Sequence, residues 1–221
     1  MPGMNPPALW TAAWPAALRT ARVTTHSAGH PTIFDNIRGD LAAHRGDWAA
    51  QGFWALLVYR FGRWRYGVRP ALLRKPLSLA YRVLYKLVQI VTGIELPCEV
   101  PVGRGFVIEH AGGIVVSGFA RFGAHCRIRN GVVIGLSHVD QPCAPVFGDH
   151  VDIGAGAKVL GAIRIGNHVH IGANAVVLQD VPDHCVAVGV PAVIKPRRRA
   201  ALPPAAQHPQ RPSPCPLETT P

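Results

Sequence analysis

The length and composition of the chain suit one buried core with short extensions. Its 221 residues, 48% of them hydrophobic, are too few for two large independent domains. The formal net charge of +11 favours anionic partners, such as nucleic acid, a membrane surface or a phosphorylated cofactor, without choosing among them.

Four segments follow one another along the chain. Residues 1–30 are rich in proline and alanine, show no signal-peptide pattern, and are expected to be disordered. Residues 31–96 repeat apolar side chains at three- and four-residue spacing, which predicts helices. Residues 97–195 are dominated by glycine and β-branched residues. Residues 196–221 are expected to form a disordered, proline-rich basic tail.

The helical segment interleaves basic with aromatic and aliphatic residues, from Arg60 and Arg63 to Arg82 and Lys86. Such helices lie on anionic membranes or pack between subunits, and we favour packing, so any membrane contact is expected to be peripheral. The longest apolar stretch, 85–94, contains Lys86 and is shorter than the roughly 20 residues that span a bilayer. No recognised nucleic-acid-binding motif accompanies the charge, so nucleic acid is not an expected partner.

Residues 97–195 repeat with a period of six. Ten positions at this spacing are all apolar, and a glycine directly follows six of them. A period of six is typical of a parallel β-helix in which three hexapeptides form a triangular coil of about 18 residues. The positions are Val116, Phe122, Ile128, Ile134, Phe147, Ile153, Val159, Ile165, Ile171 and Val177.

The register breaks at two places. Residues 108–115 form an eight-residue unit that contains Glu109 and His110, and residues 136–146 form an irregular loop with two prolines. Insertions in a solenoid project from one face, which is often the binding face.

Four segments carry a family resemblance over roughly Ile33 to Arg197. They are 53–64 (FWALLVYRFGRW), 109–116 (EHAGGIVV), 153–161 (IGAGAKVLG) and 188–192 (VGVPA). Together they resemble the serine acetyltransferase branch of the hexapeptide-repeat acyltransferases. Polysaccharide O-acetyltransferases share much of this pattern.

The resemblance implies an α+β fold, with N-terminal helices followed by a left-handed parallel β-helix. It also implies a transferase that moves acetyl from acetyl-CoA to L-serine in cysteine biosynthesis, or alternatively to a sugar of an exopolysaccharide or glycolipid. Such proteins are expected to be cytoplasmic and to form a homotrimer or a dimer of trimers. Five cysteines without a C-x-x-C pair agree with a reducing compartment.

His110 is the candidate general base. An imidazole with an ordinary pKa near 6.5 suits removal of a hydroxyl proton near neutral pH. The register break leaves its ring free to lie outside the coil, and the resemblance places the family's catalytic histidine here. The orienting carboxylate implied by the resemblance is Glu95, where the family usually has aspartate.

Three residues are candidates for acceptor binding. The resemblance places acceptor-binding carboxylates at Glu109 and Asp47, although Asp47 could equally be a solvated loop charge. The family's Arg-His pair aligns with Cys143 and Ala144, and no arginine lies between Arg129 and Arg164. His138 could replace the histidine of that pair, but no residue replaces its arginine. A sugar hydroxyl therefore remains an alternative acceptor.

Six residues are candidates for binding acetyl-CoA. Ala155 and Ala173 occupy equivalent places in two Ile-Gly-Ala units and match the family's CoA-contacting positions, although coil packing alone would also require small residues there. Lys158 and Lys195, followed by Arg197 and Arg198, could meet the CoA phosphates.

A zinc site formed by the repeated histidines is an alternative to be considered. His125, His150 and His168 occupy the same place in three hexapeptides, and His150 and His168 should stack at one corner. Such stacking indicates a turn motif rather than a metal cage, and acyl transfer needs no metal.

Overall fold

The computed structural model describes residues 32–68, 70–138 and 143–197. The predicted disorder of residues 1–30 lies outside these residues, as does most of the predicted tail. Of that tail, Pro196 is the last residue of a strand and Arg197 follows it. No helix among the described residues is long and apolar enough to cross a membrane.

Three helices come first among the described residues. They are α1 (Ile33–Ala43), α2 (Gln51–Trp64) and α3 (Ala71–Thr92), with a 3₁₀ turn (Arg65–Gly67) after α2. A capping box opens α1, since the Thr32 hydroxyl accepts from the Asp35 amide and the Asp35 carboxylate accepts from the Thr32 amide. Gly93 closes α3 with a left-handed φ of 64°.

A buried ion pair joins the helices to the first coil. The Arg60 guanidinium donates to both carboxylate oxygens of Asp40, at 2.8 and 3.2 Å. It also donates to the carbonyls of Val102 and Gly103. Arg60 is therefore a buried link between α1, α2 and the solenoid, unlike the exposed basic residues of the helical segment.

In the described part of the chain, thirteen short strands build a parallel solenoid of three sheets. The five-stranded sheet has the order β1-β3-β5-β8-β11, the six-stranded sheet β13-β12-β10-β7-β4-β2, and the third β6-β9. All pairs are parallel except β12 with β13. The strands are β1 (Ile94–Glu95), β2 (Val107–Glu109), β3 (Ile114–Val116), β4 (Arg127–Arg129), β5 (Val133–Gly135), β6 (Val146–Phe147), β7 (Asp152–Ile153), β8 (Lys158–Leu160), β9 (Arg164–Ile165), β10 (His170–Ile171), β11 (Val176–Val177), β12 (Cys185–Val188) and β13 (Val193–Pro196).

The period-six residues form the core of the solenoid. All ten are at most 3% exposed, which confirms the predicted inward positions. Phe122 stacks on Phe147 with ring centroids 4.6 Å apart, and Phe106 meets Phe122 edge-on at 5.1 Å. The predicted α+β architecture, helices followed by a parallel β-helix, is confirmed. Its first strand begins at Ile94, inside the segment assigned to helices.

Histidines line the corner where the third sheet turns into the six-stranded sheet. The rings of His125, His150, His168 and His184 stack with centroids 4.7 to 4.9 Å apart, and we call them the histidine column. This confirms the predicted stacking of His150 on His168. Within the described ranges, no three His, Cys, Asp or Glu side chains are grouped to hold a metal ion.

Candidate active site

The corner between the six-stranded and the five-stranded sheet holds several of the predicted site residues. Backbone amides link its successive turns: Gly131 N donates to Gly112 O, Gly156 N to Asn130 O, and Asn174 N to Ala155 O, each at 2.8 Å. We call this the glycine corner, comprising residues 110–113, 130–131, 154–156 and 172–174. His110 lies in its first turn, and Ala155 and Ala173 lie in its third and fourth.

His110 directly follows β2 and has a left-handed backbone with φ of 61°. Histidine tolerates this conformation better than most side chains. The eight-residue unit bends the chain here, and the imidazole is exposed rather than enclosed in the coil. The ring is therefore accessible to a ligand beside the corner.

A cleft of about 590 Å³ opens between the α1–α2 connection and β2. It brings together three of the predicted residues, Asp47, Glu109 and His110. The other lining residues are Ala43, His44, Arg45, Ala50, Gln51, Gly52, Val107, Ile108 and Ala111.

His44 is the second imidazole of the cleft, and sequence reasoning missed it. It is buried, its Nδ1 lies 2.7 Å from the carbonyl of Asp40, and its Nε2 accepts from the amide of Ile108 at 3.3 Å. Both ring nitrogens are thus occupied by backbone groups, so His44 joins α1 to β2. A contact across 64 residues leaves no signal in local sequence.

Glu109 is held by two arginines of the next coil. Its Oε2 lies 3.0 Å from Arg129 Nε and its Oε1 lies 3.4 Å from Arg127 Nη1. Arg129 also pairs with Asp152, and these contacts raise the pKa of its guanidinium, the Asp152 hydrogen bond most strongly. Sequence reasoning did not single out either arginine.

Asp47 lies in the turn after α1. Its Oδ1 accepts from the amide of Ala49 at 2.9 Å, and its side chain is exposed at the cleft. Arg45 and Gly46 shape this turn with φ of 59° and 76°. The turn therefore directs a carboxylate and a guanidinium towards the same cleft.

Glu95 is the second residue of β1 and pairs in register with Val115 of β3, in the next coil. It accepts a hydrogen bond from Gln89 Nε2, and none joins it to His110. The first turn of the glycine corner packs over Gly93, two residues before Glu95. The chain thus brings Glu95 near the corner, but outside the cleft lining.

The predicted cofactor residues differ in their surroundings. Ala173 is exposed and Ala155 partly buried on the glycine corner. Lys158 Nζ donates to the carbonyls of Gly131 and Gly156, at 2.9 and 2.7 Å, so it braces that corner. Lys195 is exposed in β13, at the far end of the solenoid.

His138 is exposed on a different corner from His110, beside residues 139–142, which lie outside the described ranges. Cys143 and Ala144, in the places of the family's Arg-His pair, are buried. Within one chain, the structure does not bring His138, Cys143 or Ala144 into the lining of the cleft.

Sequence comparison finds relatives that are named serine acetyltransferase. The chain is 37% identical over 141 residues to the serine acetyltransferase of Synechococcus elongatus, and it covers 55% of that protein. It is 39% identical over 142 residues to that of Helicobacter pylori strain J99, covering 79% of that protein. These alignments include 63% and 64% of the present chain. No protein-family model matches the sequence.

Solved structures agree with the sequence relatives. A soybean serine acetyltransferase complexed with serine superposes with a TM-score of 0.64 at 32% identity, over 75% of this chain and 70% of that one. A serine acetyltransferase complex with CoA superposes with a TM-score of 0.63 at 32% identity. This superposition also covers 75% of this chain and 70% of that one.

The fold and the similarity together define a left-handed β-helix protein built from hexapeptide repeats. The chain belongs to the serine acetyltransferase family, as its similarity to most of the Helicobacter protein shows. It spans little more than half the length of the Synechococcus relative.

Proposed function

We propose that the chain transfers acetyl from acetyl-CoA to the hydroxyl of L-serine, with His110 as the general base. The observation that carries the proposal is the cleft in which an exposed imidazole, Glu109 and Asp47 meet at the open end of the glycine corner. Family membership and the relatives solved with serine and with CoA support the two substrates.

The reaction needs one group that moves a proton in both directions. The imidazole of His110 removes the proton of the acceptor hydroxyl while that oxygen attacks the thioester carbonyl. The carbon–sulfur bond then breaks, and the imidazolium returns the proton to the departing CoA thiolate. Since both nitrogens of His44 already face backbone groups, His110 is the imidazole of the cleft that suits this role.

Glu95 is retained as the orienting carboxylate of this proposal. It lies two residues after Gly93, over which the turn containing Gly112 and Gly113 packs. Its hydrogen bond from Gln89 uses Oε1, and a carboxylate has a second oxygen that could accept from the imidazole. A carboxylate on the second ring nitrogen would fix the tautomer and stabilise the imidazolium.

The groove for acetyl-CoA would run along the glycine corner. Neighbouring coils lie about 4.8 Å apart, so the turn of Ala173 is about 14 Å from that of His110. Small side chains at Ala155 and Ala173 let an extended pantetheine arm approach the backbone there. Lys195 remains a candidate for the phosphate end, whereas the carbonyl contacts of Lys158 favour a structural role.

An acceptor sugar is the second candidate. Cys143 and Ala144, buried where the family has its Arg-His pair, offer no charge to an amino-acid carboxylate. Acceptor screens with L-serine and with sugar alcohols, following thiol release from acetyl-CoA, separate the two. Release with L-serine supports the first proposal, and release with sugars alone supports the second.

A homotrimer or a dimer of trimers remains the proposed assembly. His138 lies on another corner from His110, so a second copy would be needed to bring them together. The buried, free thiols of Cys98, Cys126 and Cys185 agree with the proposed cytoplasmic location.

Replacing His110 tests the proposed base. We expect His110→Asn to lower kcat by about a hundredfold or more, because the hydroxyl proton loses its acceptor. Asparagine tolerates the left-handed backbone of this position, so the fold should persist. Turnover equal to that of the unmodified protein would rule out the general-base role.

His125→Asn is the matched control. His125 has almost the same backbone, with φ of 57°, but belongs to the histidine column on another corner. We expect it to retain full activity, which separates the loss of the imidazole from the effect of asparagine in a turn.

A further inference from the structure

The outer surface of the six-stranded sheet continues the floor of the cleft. Strands β2 and β4 pair in register, with Val107 beside Arg127 and Glu109 beside Arg129. Ile108 and Ile128, between these residues, point into the core. The side chains of Arg127 and Arg129 therefore project on the same side as Glu109, one coil further from the helices.

The two arginines differ in how fully their donors are used. Arg129 contacts Glu109 at 3.0 Å, pairs with Asp152, and donates to the carbonyl of Ile153. Arg127 has one charged neighbour among the described residues, Glu109, at the longer distance of 3.4 Å. Its side chain is 42% exposed against 26% for Arg129. A guanidinium carries five N–H donors, so Arg127 keeps donors for a ligand.

An L-serine acceptor brings an ammonium, a hydroxyl and a carboxylate to the cleft. Asp47 and Glu109 suit the ammonium, but they would repel the carboxylate. Cys143 and Ala144 are buried and uncharged. A cation beside Glu109 would balance the acceptor, and guanidinium groups bind carboxylates through two parallel hydrogen bonds.

We propose that Arg127 binds the carboxylate of the acceptor at the open edge of the cleft, while Arg129 holds Glu109 in place. This inference rests on the proposed transfer to L-serine and assigns the part of the site that selects an amino acid. Arg127 would act in binding, and the proton transfer would remain with His110.

The test compares L-serine with L-serinamide, which keeps the ammonium and hydroxyl but lacks the carboxylate. For Arg127→Gln we expect KM for L-serine to rise by about ten- to a hundredfold, the scale of a charge-assisted hydrogen bond. We expect kcat to change much less, and KM for L-serinamide and for acetyl-CoA to stay the same. Arg127→Lys should recover part of the affinity for L-serine, because it restores the charge without the paired donors.

Arg164→Gln is the control, since Arg164 is an exposed arginine of β9 on another face of the solenoid. We expect its kinetics to match those of the unmodified protein. If that protein uses L-serine and Arg127→Gln shifts both acceptors equally, or neither, the assignment of Arg127 is overturned while the proposed function stands. If the unmodified protein does not acetylate L-serine at all, the proposed function fails and the carboxylate subsite fails with it.

Discussion

Histidine occupies most of the left-handed positions outside glycine in this chain. Among the described residues, seven non-glycine positions have positive φ, and five of them are His110, His125, His150, His168 and His184. Histidine is enriched in this conformation, so these residues serve first as turn residues. His110 differs from the other four because its corner opens on a cleft.

The histidine column should make stability depend on pH. Burial, followed by His150, His184 and Arg197, lowers the pKa of His168 below 6.5, while Asp183 opposes this shift weakly. The unfolded chain therefore binds this proton more readily, and the free energy of unfolding should fall as the pH drops below about 6.5. We expect urea unfolding between pH 7 and pH 5 to show this loss.

Replacing one member of the column isolates its contribution. Asparagine tolerates the left-handed backbone of His168, so His168→Asn should keep the turn while removing a titrating ring from the column. Its loss of stability between pH 7 and pH 5 should therefore be smaller than that of the unmodified protein. His138 lies outside the column, so His138→Asn should lose as much stability between pH 7 and pH 5 as the unmodified protein does. Equal pH dependence in all three proteins would contradict the argument.

At the scale of elements, the six-residue period predicts the solenoid well. Inward positions such as Ile153 and Val159 depend only on coil geometry, which the sequence repeats regularly. The pairing of Glu109 with Arg129 was harder to predict because the eight-residue unit lengthens that coil and shifts the register. The cleft could not be predicted, since nothing local in the sequence shows where α1 and α2 pack on the coils.

Close packing of α2 on β2 makes Gly52 critical. A Cβ at this position would overlap the carbonyl oxygen of Ile108. We expect Gly52→Ala to destabilise the protein by about 1–3 kcal/mol through overpacking. It should also lower activity, because Ile108 leads directly into Glu109 and His110. Thermal unfolding and turnover measure the two effects.

Gly39→Ala is the matched control for Gly52→Ala, because it adds the same methyl group to a helix where there is space for it. Gly39 lies in α1, and a Cβ there would meet nothing within 4 Å. We expect this variant to be more stable by about 0.4–1 kcal/mol, because alanine restricts the unfolded chain. Equal effects of the two alanines would refute the packing argument.

At the scale of the whole molecule, α3 has an apolar face that no other described residue of the chain covers. Leu72, Leu79, Val83, Leu87 and Ile90 are each at least 52% exposed and recur at helical spacing. A continuous apolar surface of this kind indicates contact with another molecule. This face supports the preference for packing between subunits.

Sedimentation velocity should detect the role of this face. We expect Leu87→Glu to reduce the assembled fraction, because it places a charge at the centre of the apolar face. The monomer should remain folded, since Leu87 is 53% exposed. Arg74→Glu, an exposed substitution on the same helix but off this face, should sediment like the unmodified protein. Unchanged sedimentation of Leu87→Glu would exclude α3 as the interface.

The reversal of β13 bears on how copies can meet. Stacked coils resemble a short filament whose last coil would offer free amides and carbonyls to the next molecule. Here β13 runs back along β12 and occupies that edge, while α2 packs against the opposite end through Gly52, Tyr59 and Arg60. The antiparallel β13 therefore ends the parallel stacking of the six-stranded sheet, and we expect copies to associate sideways into a closed oligomer.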